Sequence, residues 1–131
     1  MKSLLVLFAI ALGASALGGC LSTEEPTCNS TSYVPIVSAI GPRTIRVNQP
    51  AVFALGYALG SDCGKFSGVV ATPNGNTTQV GVMGNYTGCA CNTTTTVLQT
   101  TYQFQATTAG TYYVQFLTGT NTFITDTVVV N

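Results

Sequence analysis

The sequence predicts an all-β domain, an antiparallel β-sandwich of about seven strands. Three observations carry this expectation. Beyond Ser32, β-favouring Val, Thr, Tyr and Phe dominate, and turn-forming Gly, Pro and Asn recur at short intervals. Over residues 51–59 the large side chains Phe53, Leu55, Tyr57 and Leu59 alternate with Ala54, Gly56 and Ala58, which puts the large ones on one face of a strand. No window repeats its apolar residues at the helical period of about 3.6.

The elements follow in order. A first strand over residues 33–40 stops at Gly41-Pro42, and Pro35, which has no backbone donor, predicts an edge position or a bulge. Residues 43–47 continue it as a short second piece. The strand over 51–59 comes next. Asn74-Gly75 is a hairpin signal, because both residues tolerate positive φ, and it pairs residues 66–71 with 77–83. After a loop over 88–96, residues 98–106 form a strand with Tyr102 and Phe104 inward. Gly110 then turns into a strand over 112–117, and Asn121 turns into one over 123–130.

The segment Ala109-Gly110-Thr111-Tyr112-Tyr113-Val114 refines the fold class. In immunoglobulin-like sandwiches a tyrosine near the start of the penultimate strand bonds back to the backbone just upstream. Tyr112 or Tyr113 stands where that device belongs, so the expected sandwich is immunoglobulin-like.

Ahead of this domain, Met1-Lys2 leads into an apolar run over residues 4–17. The run falls short of the about 20 apolar residues that a spanning helix needs. A positive start, an apolar middle and a small-residue end are the layout of an export signal. Leu17-Gly18-Gly19-Cys20 resembles the lipobox of bacterial lipoproteins, in which the cysteine is acylated and becomes the first residue of the mature chain. The expected division is therefore a signal peptide over 1–19, lipidated Cys20 with a polar tether over 20–31, and the sandwich over 32–131. A competing reading uses Ala14-Ser15-Ala16 as an ordinary signal-peptidase site and yields a soluble secreted protein. The cysteines favour lipidation. Of Cys20, Cys28, Cys63, Cys89 and Cys91, four remain once Cys20 carries lipid, enough for two disulfides in an oxidising compartment. Leu21 is not the aspartate that retains many lipoproteins at the inner membrane, and Glu24-Glu25 resembles an acidic surface-export signal. The expected location is the outer membrane, on its periplasmic face or at the cell surface.

Further along, the chain carries Ile40-Gly41-Pro42, Val47-Asn48-Gln49-Pro50, Asp62-Cys63-Gly64-Lys65-Phe66, Tyr86-x-Gly88-x-x-Cys91, Tyr102-x-Phe104, Ala109-Gly110-Thr111-Tyr112 and Phe123-Ile124-Thr125-Asp126-Thr127. Together these resemble small lipoproteins of Bacteroidota-type bacteria, each with one immunoglobulin-like domain. The resemblance covers most of the mature chain and implies a fold and a location, but no activity. It also implies a Cys63–Cys91 pair, which leaves Cys28 and Cys89 as an added pair. Cys63–Cys89 with Cys28–Cys91 is the alternative, and a Cys89–Cys91 bridge would close a very small, strained ring.

Charge is sparse: four basic and four acidic residues, and no histidine. Without a basic patch, nucleic acid is not an expected partner. Without histidine, Ser-His-Asp and Cys-His catalysis and His-based zinc sites are excluded. Glu24 and Glu25 fall in the tether, so paired-carboxylate hydrolysis has only Asp62 and Asp126 to draw on. Asp62 is expected to cap backbone in its Gly-Ser-Asp-Cys-Gly turn, and Asp126 to face solvent or pair with Arg43 or Arg46. The expectation is a non-enzyme without cofactors, a binding or adhesion module held to the membrane through Cys20 and facing a protein or glycan partner. Tyr33, Tyr57 and Tyr86 are the candidate sugar platforms. The plainer reading puts Tyr57 in the core and Tyr86 in a cross-strand pair. Two alternatives stand beside this: a structural accessory subunit of an outer-membrane assembly, and a thiol metal-binding protein using Cys89-Ala90-Cys91 with Cys28 or Cys63.

Overall fold

Alternation of large and small side chains divides the chain into strands, as a computed structural model shows for residue 19 and residues 27–131. Cys20, residues 1–18 of the expected signal segment and most of the expected tether lie outside the described residues. The strands are β1 (Asn29–Val34), β2 (Ile36–Ile40), β3 (Thr44–Ile45), β4 (Ala51–Ala58), β5 (Gly64–Asn74), β6 (Thr77–Thr87), β7 (Val97–Phe104), β8 (Gly110–Gly119) and β9 (Thr122–Val130). Among the described residues there is no helix.

The strands make two sheets. One is three-stranded, in the order β2-β4-β7, and the other is six-stranded, running β1-β6-β8-β9-β3 with β5 also paired to β6. Their facing sides share one core. Phe53, Leu55 and Tyr57 of β4 are buried with Val80 and Val82 of β6, Val114 and Phe116 of β8, and Val128 and Val130 of β9. The Phe53 and Phe116 rings meet across the layers at 5.1 Å between centroids, and Tyr102 and Phe116 make a T-shaped pair at 6.4 Å. Each such side chain taken out of water stabilises the fold by about 1.5–3 kcal/mol. The inward face of β4 and the inward Tyr102 and Phe104 are those the alternation predicts.

The structure departs from the sequence expectation at four places. The first strand breaks at Pro35, which cannot donate to a ladder; β1 pairs with β6 in one sheet and β2 with β4 in the other. Across the break the Pro35 carbonyl accepts from Ala58 N at 3.1 Å. Second, β1 begins at Asn29, inside the span expected to be tether, and pairs residue by residue from Asn29↔Thr87 to Val34↔Val82. Third, the hairpin turns on Gly75 and Asn76 and not on Asn74-Gly75: Asn74↔Thr77 is the last pair, and Gly75 alone of the two takes positive φ, 61°. A glycine in the first central position meets that requirement without a Cβ clash.

Finally, the six-stranded sheet is mixed, not antiparallel throughout. β3 runs parallel to β9, and β6 runs parallel to β8 over Thr77↔Tyr113 to Val80↔Phe116. The cause is topological. After β6 the chain crosses to the other sheet to form β7, and it returns as β8 in the direction β6 already had.

Candidate functional site

Two regions gather the residues that chemistry would use. The first is the end of the molecule where the chain enters β1. Cys28 is bonded to Cys89 and Cys63 to Cys91, with Cα separations of 5.0 and 5.6 Å. Cys89 and Cys91 therefore send their sulfurs to different partners. Around the bridges the loop after β6 is strapped to the turn before β5. Asp62 N donates to Asn92 O at 3.0 Å, Thr94 N to Gly60 O at 3.2 Å, and Thr87 N to Cys63 O at 3.2 Å. The Asp62 carboxylate reaches across to Asn92: Oδ1 accepts from the backbone N at 2.8 Å and Oδ2 from the side-chain Nδ2 at 3.0 Å. The expected cap is thus directed mainly at another loop. The hydrogen bonds from Asn92 hold the Asp62 carboxyl below the usual carboxylate range.

Ligand atoms of Asp62, Cys63 and Cys91 lie within 4.8 Å of one another, a spacing that suits a metal. Both sulfurs are joined in a disulfide, however, and both carboxylate oxygens already accept from Asn92. In this state the Cys-x-Cys pair presents no thiolate, which is the form that binds a metal.

The second region is a seam on the outer face of the six-stranded sheet. Along one flank of β6, β1 pairs with residues 82–87 and β8 pairs with residues 77–80. Gly81 falls between the two and pairs with neither. The seam exists because Pro35 ends β1 and sends the chain to the other sheet. Tyr33 lies across it. A Cβ on Gly81 would meet Tyr33 Cδ1 and Cε1 at 2.6 Å, so the ring rests on bare backbone that only glycine leaves open.

Two clefts share Tyr33 as a lining residue. The larger, about 390 Å³, is lined by Tyr33, Pro35, Leu117, Gly119, Thr120 and Asn121. The smaller, about 130 Å³, shares Tyr33 and Leu117 and adds Val70, Thr72, Gln79 and Phe123. Gln79 Nε2 donates to Gln115 Oε1 at 3.4 Å, and Asn121 takes positive φ, 54°, at the β8–β9 turn. The described residues that line the two clefts are all uncharged. Such a surface binds through apolar contact and neutral hydrogen bonds.

The three candidate platforms separate cleanly. Tyr57 is 4 % exposed, in the core, and Tyr86 is half-buried with its hydroxyl donating to the Leu59 carbonyl at 2.7 Å. Burial raises the Tyr86 hydroxyl pKa. Tyr33 alone of the three keeps a free ring, 53 % exposed. Sequence reasoning missed Gly81, Leu117, Phe123, Gln79 and Asn121. The one available signal was Gly81 itself, a glycine inside an alternating strand, which marks a close approach.

Asp126 faces neither solvent alone nor an arginine. It shares the inward side of β9 with Ile124, Val128 and Val130 and is half-buried. Among the described residues no ion pair joins it to Arg43 or Arg46. No protein family, no curated protein and no solved structure matches this chain.

Proposed function

We propose that this protein is a non-catalytic binding module of the cell envelope, held on the outer membrane through lipid on Cys20. The observation that carries the binding role is Tyr33, half-exposed on Gly81 and lining two uncharged clefts. The larger cleft falls in the range of about 300–1,000 Å³ typical of ligand sites. The non-catalytic reading rests on the lack of any histidine and on the engagement of the Asp62 carboxylate by Asn92. The anchor rests on the lipobox order ending at Cys20 and on the even cysteine count it leaves.

Within the same reading, the fold is of immunoglobulin-like type. Tyr112 Oη donates to the Thr108 carbonyl at 2.8 Å, four residues upstream, at the start of the penultimate strand. That is the geometry of the tyrosine device expected there. The parallel β3–β9 and β6–β8 pairs are the points at which this topology differs from two purely antiparallel sheets.

Two measurements test the proposal. The intact mass of the membrane-extracted protein is expected to show a chain starting at Cys20 with acyl mass, and four thiols only after reduction. An unlipidated chain starting at Leu17 with free thiols overturns the anchor. A photo-crosslinking residue at position 33 in living cells is expected to form an adduct, and none of any kind counts against a binding role.

A structural accessory role is the second reading, and β7 favours it. This edge strand, Val97–Phe104, pairs with β4 on one flank only and has no proline or charged residue to repel another strand. Co-purification with a stable envelope complex that is lost on Thr101→Pro supports this reading, and a monomer in mild detergent counts against it.

A further inference from the structure

We infer that the seam around Tyr33 is a binding site for a neutral oligosaccharide, with the Tyr33 ring as its platform. The inference rests on the binding-module reading and names its ligand class.

Both Cδ1 and Cε1 of Tyr33 approach the Cβ position of Gly81 at 2.6 Å, while Cζ stands at 3.7 Å. The Cδ1–Cε1 edge of the ring is therefore the part set on the sheet, and the residue as a whole stays 53 % exposed. A pyranose carries a patch of C–H groups on one face and hydroxyls around its rim. The C–H patch covers the apolar face of an aromatic ring, and the hydroxyls need neutral donors and acceptors at the edges. The seam supplies both. Leu117 and Phe123 extend the apolar floor, while Asn121, Thr120, Thr72 and Gln79 stand around it.

Charge selects among ligand classes. Nucleotides, phosphates and acidic or basic peptides need a counter-charge to offset their desolvation, and the described lining residues have none. A purely apolar peptide would leave the Asn121, Gln79 and Thr groups facing carbon, at the cost of unmade hydrogen bonds. A neutral, hydroxyl-rich ligand satisfies the whole surface. Because two clefts share one ring, the site accommodates a short chain of sugar units, not a single one.

The platform is also separable from the fold. Tyr33 and Gly81 face away from the shared core, and Gly81 sits outside both strand pairings on that flank. Tyr113, 43 % exposed at the start of β8, lines neither cleft and serves as a control.

The test uses the full-length protein in detergent micelles against an array of neutral β-glucan, mannan and N-acetylglucosamine oligomers, followed by calorimetric titration of the strongest. Binding to at least one oligomer is expected, with an affinity unchanged when salt is raised, since no charges meet. Tyr33→Ala is expected to weaken it about tenfold or more, and Tyr33→Phe to retain it, because the ring and not the hydroxyl is the platform. Gly81→Ala is expected to weaken it by tilting the ring, and Tyr113→Ala to leave it unchanged. Absence of binding across the array overturns the inference, as does binding that Tyr33→Ala leaves intact. A protein adduct at position 33 with no sugar binding overturns the ligand class and leaves the binding module standing. With neither a sugar nor an adduct, both readings fail.

Discussion

The disulfide-clamped end and the Tyr33 seam are opposite uses of the same sandwich. At the clamp, the sulfurs and the carboxylate are all engaged: four sulfurs in two bridges and both Asp62 oxygens on Asn92. At the seam, nothing is ionisable except the tyrosine hydroxyl, yet the ring and the amides around it remain open to solvent. Reactive residues here hold the fold together, and unreactive ones form the accessible surface. In this chain the cluster of Cys and Asp is therefore committed to the fold, and the aromatic ring over a glycine is what stays accessible.

Four predictions bear on that contrast. The largest concerns the bridges. Replacing Cys28 and Cys89 by alanine opens a loop of 61 residues and is expected to cost about 4 kcal/mol, read from denaturant unfolding; Cys63→Ala with Cys91→Ala opens 28 and costs about 3.5 kcal/mol. If either double variant unfolds at the wild-type midpoint, the clamp is not what stabilises this end. Next, Tyr112→Phe removes the hydrogen bond to Thr108 and is expected to cost about 1 kcal/mol by thermal melting, without altering anything bound at the seam.

Gly81→Ala sharpens the other side of the comparison. The atoms it displaces belong to a surface ring, so a stability change below about 1 kcal/mol is expected, with a visible shift in the Tyr33 ring resonances by NMR. A loss comparable to that of a bridge would make Tyr33 a structural residue and erase the contrast. The smallest effect belongs to Asp62. Its carboxyl pKa is lowered in the folded state, so its contribution to stability is present above its unfolded value of about 3.9 and is lost as pH falls through the lower folded value. Asp62→Asn is expected to flatten that acid limb of the melting temperature. An unchanged limb would show that other groups set it.

How much of this was legible in advance varies with the range of the interaction. Alternation from Ala51 to Ala58 fixed the inward face of β4, because side-chain direction in a strand is a local property. Pro35 announced trouble in the first strand for an equally local reason. The parallel β6–β8 pair was not legible, because no residue in either strand records which strand will lie beside it. The cysteine count pointed to two bridges, but Asn92 as the partner of Asp62 lies thirty residues away and has no marker in the turn. Tyr33 stood out as an aromatic residue, and Gly81 as an interruption. That the two belong together depends on register, which only the fold supplies.

The bridge at Cys28 has a mechanical consequence. A pull on the chain ahead of the domain enters the fold at that residue, next to the first pair of β1. Without the bridge, the load would peel β1 from β6 one hydrogen bond at a time, like a zipper. With it, tension passes through a covalent bond into the loop at Cys89, and from there, two residues on, through Cys91 to Cys63. The bridge thereby relieves the first pairs of the strand that carries Tyr33 of that load.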